Sequence, residues 1–226
     1  MALIVKCLGE SFANNLGSLD FIKSGLIAHY DFKATKADSE VNLVDNLAGT
    51  WFGESFEFDQ NSISFPQNSA SNNFFRTPIA ETENLTIIAS IKEGKQAHIA
   101  KGNAVGSAII GASGSSLFQT RCNGASSAQL TLNQSTNNLV TPVIYSLRID
   151  STSLSTVMDS FIKERGKDYQ LATVTGGARD NVIATFDLGR GISDSPTKIH
   201  EVLIYNRALT DNEMASVMQY LETKYT

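Results

Sequence analysis

The chain has 226 residues, of which 42% are hydrophobic and 18% charged, with a formal net charge of −5. That length fits one all-β sandwich domain, while the acid excess and the lack of long Lys or Arg runs exclude the cationic footprint that nucleic acid or an anionic bilayer requires. No apolar stretch reaches the roughly 18 residues of a spanning helix, and Glu10 and Asn14 interrupt the apolar start, which lacks a basic leader, so no signal peptide is expected.

Residues 1–24 mix turn formers with isolated apolar residues and read as an arm, or as an extra edge strand lying over the domain. From Gly25 the pattern changes. Leu26, Ala28, Tyr30 and Phe32 share one parity against His29, Asp31 and Lys33, the period-2 alternation of a half-buried strand. Phe52, Phe56 and Phe58 followed by Ile63 and Phe65 predict a hairpin-like pair that Pro66 ends.

Leu85, Ile87, Ala89 and Ile91 form another strand, with Ile88 making the opposite face partly apolar, and residues 97–101 are expected to pair with it across Glu93-Gly94-Lys95. Shorter strands are expected at 107–112, 117–121 and 129–132, then longer ones at 143–150, 155–163, 169–175, 182–188 and 198–205. Gly111-Ala112-Ser113-Gly114 and Gly176-Gly177 read as hairpin turns, since no Lys-Ser/Thr follows to make a phosphate cradle.

About a dozen strands without βαβ alternation predict an all-β fold, a two-sheet antiparallel β-sandwich of jelly-roll type. One short C-terminal α-helix closes it. Thr210-Asp211-Asn212-Glu213 has the form of a capping box, and Met214, Val217, Met218 and Leu221 follow at helical spacing.

Four segments in order resemble the LamG-like, concanavalin A-like lectin and glucanase superfamily. They are Gly25-Leu26-Ile27-Ala28-His29-Tyr30-Asp31-Phe32, the strand from Leu85 to Lys92, His98-Ile99-Ala100-Lys101-Gly102-Asn103, and the closing run from Lys198 through Asn206-Arg207-Ala208-Leu209 to Glu213. The resemblance covers residues 25–226 as one domain and leaves 1–24 outside. Such domains occur in bacteriophage virion proteins, in glycan-binding modules and in glucanases, so the fold alone does not fix the function.

No catalytic residue is marked. A glucanase of this fold needs alternate carboxylates on one strand; Glu57 and Asp59 share a parity, but Asn61 stands where the third acid belongs. His29, His98 and His200 fall on separate strands, and Cys7 and Cys122 match no metal spacing. Calcium, which the resemblance implies for loop oxygens, would find Asp45, Asp180 and Asn181, although Asx residues also cap turns. A sugar platform would use Trp51 with Asn46 and Asn103, against the reading of Trp51 as core.

Two functions follow as expectations. The first is a non-enzymatic virion structural protein of a bacteriophage, such as a capsid decoration, head fibre or tail component, located on the virion and joined to other virion proteins through residues 1–24. The second is a lectin-like carbohydrate-binding module that recognises a host-surface glycan; a glycoside hydrolase comes third. A homo-oligomer is compatible with either of the first two.

Overall fold

The structure is a computed structural model and describes residues 22–66, 73–92, 98–102, 108–113, 117–122, 125–131, 142–179, 184–190 and 197–225. In chain order the strands are β1 (Leu26–Asp31), β2 (Thr50–Phe52), β3 (Glu57–Asp59), β4 (Ser62–Phe65), β5 (Phe74–Ala80), β6 (Leu85–Lys92), β7 (His98–Gly102) and β8 (Ile109–Ser113). There follow β9 (Leu117–Cys122), β10 (Ala125–Thr131), β11 (Val143–Ser151), β12 (Ser155–Glu164), β13 (Gln170–Gly177), β14 (Thr185–Leu188) and β15 (Thr197–Tyr205). The helices are α1 (Lys36–Ser39) and α2 (Asp211–Lys224).

Among the described residues these strands make two antiparallel sheets. The eight-stranded sheet runs β13-β12-β11-β6-β15-β4-β3, with β1 also alongside β15, and the seven-stranded sheet runs β10-β9-β8-β7-β14-β5-β2. Their inner faces meet in one core that includes Tyr30, Phe75, Ile87, Phe118, Tyr145, Phe186 and Ile204. The expected sandwich is present, and most of its period-2 apolar residues face inward; Leu26 packs instead on the α2 side and Phe52 faces outward.

A second apolar cluster lies on the outer face of the eight-stranded sheet, where α2 packs Met214, Val217, Met218 and Leu221 onto Ile88, Ile144, Phe161, Leu203 and Tyr205. The two-sided apolar pattern of β6 follows from its central place between core and helix. The expected capping box is formed: Thr210 accepts from Glu213 N, and Glu213 accepts from the backbone of Thr210. Ile22 also packs on this cluster, and Lys23 O accepts from Leu26 N. The last residues of the arm are thus built into the domain.

Several sequence expectations are corrected. β6 and β7 are not partners: β6 pairs with β11 and β15, whereas β7 pairs with β8 and β14 in the other sheet. The chain crosses the sandwich between them, which alternation within each strand cannot reveal. Phe52 belongs to β2 in the seven-stranded sheet, while Phe58 and Ile63 make the β3–β4 hairpin in the other. Gly176 and Gly177 are strand residues opposite Thr156 and Ser155, and Gly111 lies within β8. The one-turn helix α1, capped by Thr35, was not expected, because four residues are too few for a periodic signal.

At His200, β15 carries a bulge. Ile199 faces Ile91 and Glu201 faces Ser90, so His200 is the extra residue. The bulge lets Ile199, Val202 and Ile204 all reach the core despite their mixed parity, and turns Glu201 to the outer face.

Candidate functional site

The faces of the two sheets are treated differently. α2 covers the outer face of the eight-stranded sheet, whereas no helix among the described residues lies over the outer face of the seven-stranded one. On the latter, cross-strand register lines up Thr50, Arg76, Asp187, Lys101, Ile109 and Arg121 in one row over β2, β5, β14, β7, β8 and β9. The inward alternates are Trp51, Phe75, Phe186, Ala100, Ile110 and Thr120, which fixes the row as outward.

Asp187 anchors the row. Arg76 donates to its two carboxylate oxygens from Nε and Nη2 at 2.7 and 3.0 Å, and Arg190 adds a bond from Nη1 at 2.6 Å. Although Asp187 is outward-facing, its side chain is 0% exposed, because both guanidinium groups close over it. Its hydrogen bonds hold the Arg76 guanidinium still more firmly protonated than usual, against the opposing effect of burial.

Aromatic rings brace the same groups. Phe52 and Phe74 are cross-strand neighbours stacked at 4.6 Å and 14°. The Arg76 Cζ lies 4.9 Å from the Phe52 ring centre and 5.2 Å from that of Phe74, and Arg190 lies 5.0 Å from Phe74. Such cation–π contact limits the rotamers of both arginines. Phe74 is thereby buried, while Phe52 keeps 36% of its surface open. The result is a preorganised patch of flat apolar surface beside oriented N–H donors.

The residues singled out from sequence lie elsewhere or beyond view. The Trp51 ring sits against Phe75, Phe56 and Phe58 at 4.5, 4.9 and 5.5 Å, and its Nε1 donates to Glu40. Asp45 and Asn46 occupy a tight loop that buried Asn42 pins to β1, accepting from His29 N and donating to Ile27 O. Within it the Asp45 carboxylate accepts from Leu47 N, and Asn46 adopts a left-handed φ of 62°. Asn103, Asp180, Asn181 and Cys7 fall outside the described residues; Cys122 is buried at the end of β9.

Glu57 and Asp59 lie on the edge strand β3, where Asp59 pairs with Lys198. Among the described residues, no group of three His, Cys, Asp or Glu is arranged to hold a metal. No helix there is long and apolar enough to cross a membrane.

Two buried polar centres serve the fold. Glu201 accepts from His29 Nε2, Lys224 Nζ and Tyr225 OH, each at 2.7 Å, which ties the end of α2 to β1 and β15. Burial alone would raise its pKa; the His29 bond and the Lys224 charge more than reverse that and hold it below the usual range. Arg179 pairs with buried Glu81 and donates to Thr82 O and Glu83 O, while Glu81 accepts from Ala108 N, joining the two sheets' connections.

Arg76, Asp187, Arg190, Phe52 and Phe74 were not picked out from sequence as a site. Alternation in Thr185-Phe186-Asp187-Leu188 marks Asp187 as the outward residue. Nothing local tells that β14 lies between β5 and β7, because those neighbours come from distant parts of the chain.

No family model matches the chain, and no curated protein does. Solved structures share its fold. The receptor-binding domain of botulinum neurotoxin type G aligns with a TM-score of 0.61 at 12% identity, over 89% of this chain and 52% of that one. The binding domain of botulinum neurotoxin DC in complex with SialylT gives 0.61 at 11%, over 87% and 51%. A Trypanosoma rangeli sialidase in complex with sialic acid gives 0.57 at 11%, over 90% and 34%. This chain spans about half the length of the toxin domains, and at such identity the likeness establishes the β-sandwich fold.

Proposed function

We propose that this domain is a non-catalytic, lectin-like carbohydrate-binding module of LamG-like type that reads a glycan on the outer face of the seven-stranded sheet. The observation that carries this reading is the Phe52–Phe74 pair framed by the Arg76–Asp187–Arg190 cluster on a sheet face that no described helix covers. A sugar ring offers an apolar C–H face and a rim of hydroxyls, which suits a flat aromatic surface beside fixed polar groups. Catalysis by the usual route would need two carboxylates flanking the scissile bond. Among the described side chains of this face there is one, Asp187, and both its oxygens are already engaged. The receptor-binding domain and the sialic-acid complex among the structural neighbours favour the same reading.

The test is a glycan array with the full chain and its Phe52→Ala variant, with and without calcium. Saturable binding that the variant weakens supports the site; binding unchanged by the substitution refutes it. A calcium requirement would direct attention to Asp45, Asp180 and Asn181.

A second reading, the virion structural role, has residues 1–24 join the chain to other proteins of a bacteriophage particle. The packing of Ile22 on the α2 side favours it, since an arm entering there leaves the opposite face of the sandwich free to point outward. Removing residues 1–21 would then abolish particle incorporation while preserving glycan binding; incorporation of the truncated chain would refute it.

A further inference from the structure

Resting on that glycan reading, we infer that the ligand is an acidic oligosaccharide, one that carries its negative charge as carboxylate or sulfate. The argument is charge complementarity along the register row. Over β5, β14, β7 and β9 and the turn after β14, the described side chains of this face include four cations, Arg76, Arg190, Lys101 and Arg121, against the single carboxylate of Asp187. The chain as a whole has a net charge of −5, so this face runs against the average.

Spacing strengthens the case. Arg76 and Lys101 flank Asp187 on alternate strands, and Lys101 and Arg121 flank Ile109 in the same way. With strands about 4.8 Å apart, the cationic strands Arg76, Lys101 and Arg121 repeat at roughly 10 Å along a straight line. Asp187 consumes Arg76 Nε and Nη2, and Lys101 stands next to Asp187 in the cross-strand register. An extended chain with repeated anionic groups can meet these positions in succession while a sugar ring rests beside Phe52. Asp187 fixes the guanidinium planes in advance, so binding loses little rotamer freedom.

The experiment measures affinities of the full chain for three acid and neutral pairs: hexagalacturonate and its methyl ester, 3′-sialyllactose and lactose, and dextran sulfate and dextran. We expect the acid member of at least one pair to bind more tightly, with binding weakened by salt. Lys101→Gln should weaken it by about tenfold, the contribution of one charge-assisted hydrogen bond. Arg165→Gln, which removes an exposed charge on the β12–β13 turn of the other sheet, should leave it unchanged. The carboxylate and sulfate pairs tell which acid is read.

Equal affinity for the neutral members, or neutral ligands alone on the array, overturns this inference and leaves the glycan reading standing. Single-stranded DNA binding as tightly as the acidic sugars overturns it too, by making the face a general polyanion surface. Absence of binding to any glycan overturns the glycan reading itself.

Discussion

Glu213 joins two roles in one side chain, and replacing it by Gln separates them. Its carboxylate closes the capping box at Thr210 and takes two bonds from Arg207 at 2.8 and 2.7 Å. The Arg207 bonds come first among the causes that lower its pKa from the ordinary 4.5 to about 2, followed by the backbone bond from Thr210. That drop corresponds to about 3 kcal/mol before screening. The side chain is 21% exposed, and solvent at a surface pair removes much of such a gain, so about 1.5 kcal/mol is the working value. Gln can still accept from Thr210 N, so Glu213→Gln isolates the charge.

For a chain of this length each kcal/mol moves Tm by about 2–4 °C, so the variant should melt about 3–6 °C lower at neutral pH. The folded pKa is depressed, so the stabilisation is present above the unfolded value of 4.5 and is lost as pH falls through about 2. Thermal melts followed by circular dichroism at pH 7, 5, 4 and 3 should show a full gap at the first two values and a narrowing one below. A gap equally wide at pH 3 and pH 7 would refute the reasoning, as would the lack of any gap at pH 7.

Three further outcomes follow from packing and charge. Gly189 has φ +75°, and a Cβ there would stand 2.2 Å from the Phe65 ring, whereas Gly166 at φ +67° has nothing within 4 Å. Gly189→Ala should therefore cost about 2–5 kcal/mol in urea unfolding and Gly166→Ala about 1–2, from left-handed strain alone; equal costs would contradict the clash. Glu201→Gln removes a fully buried carboxylate from His29, Lys224 and Tyr225. It should cost about 2 kcal/mol, less than a fully broken buried pair because Lys224 keeps Asp31, and an unchanged urea midpoint would rule out the lock. Burial holds the His200 imidazole below its ordinary 6.5, so the unfolded chain protonates first and stability falls as pH drops below 6.5. His200→Gln should flatten the pH 7 to 5 slope of stability, and an equal slope would refute that assignment.

The sequence by itself determined most of the strands, the closing helix and most of the inner faces. Leu26, Ala28, Tyr30 and Phe32, and likewise Leu85, Ile87, Ala89 and Ile91, alternate because a strand turns successive side chains to opposite sides, and all but Leu26 lie in the common core. Thr210 and Glu213 with the Met214–Leu221 stripe defined α2, because a cap and its helix are local in the chain. Tertiary structure decided which strands are neighbours. The β6 to β7 crossing, the His200 bulge and the placement of β14 between β5 and β7 depend on pairings between distant residues. The candidate site belongs to that second group. Phe52, Phe74, Arg76, Arg121, Asp187 and Arg190 carry no motif in sequence, and with Lys101 they form one surface only because six strands from separate parts of the chain are hydrogen-bonded side by side.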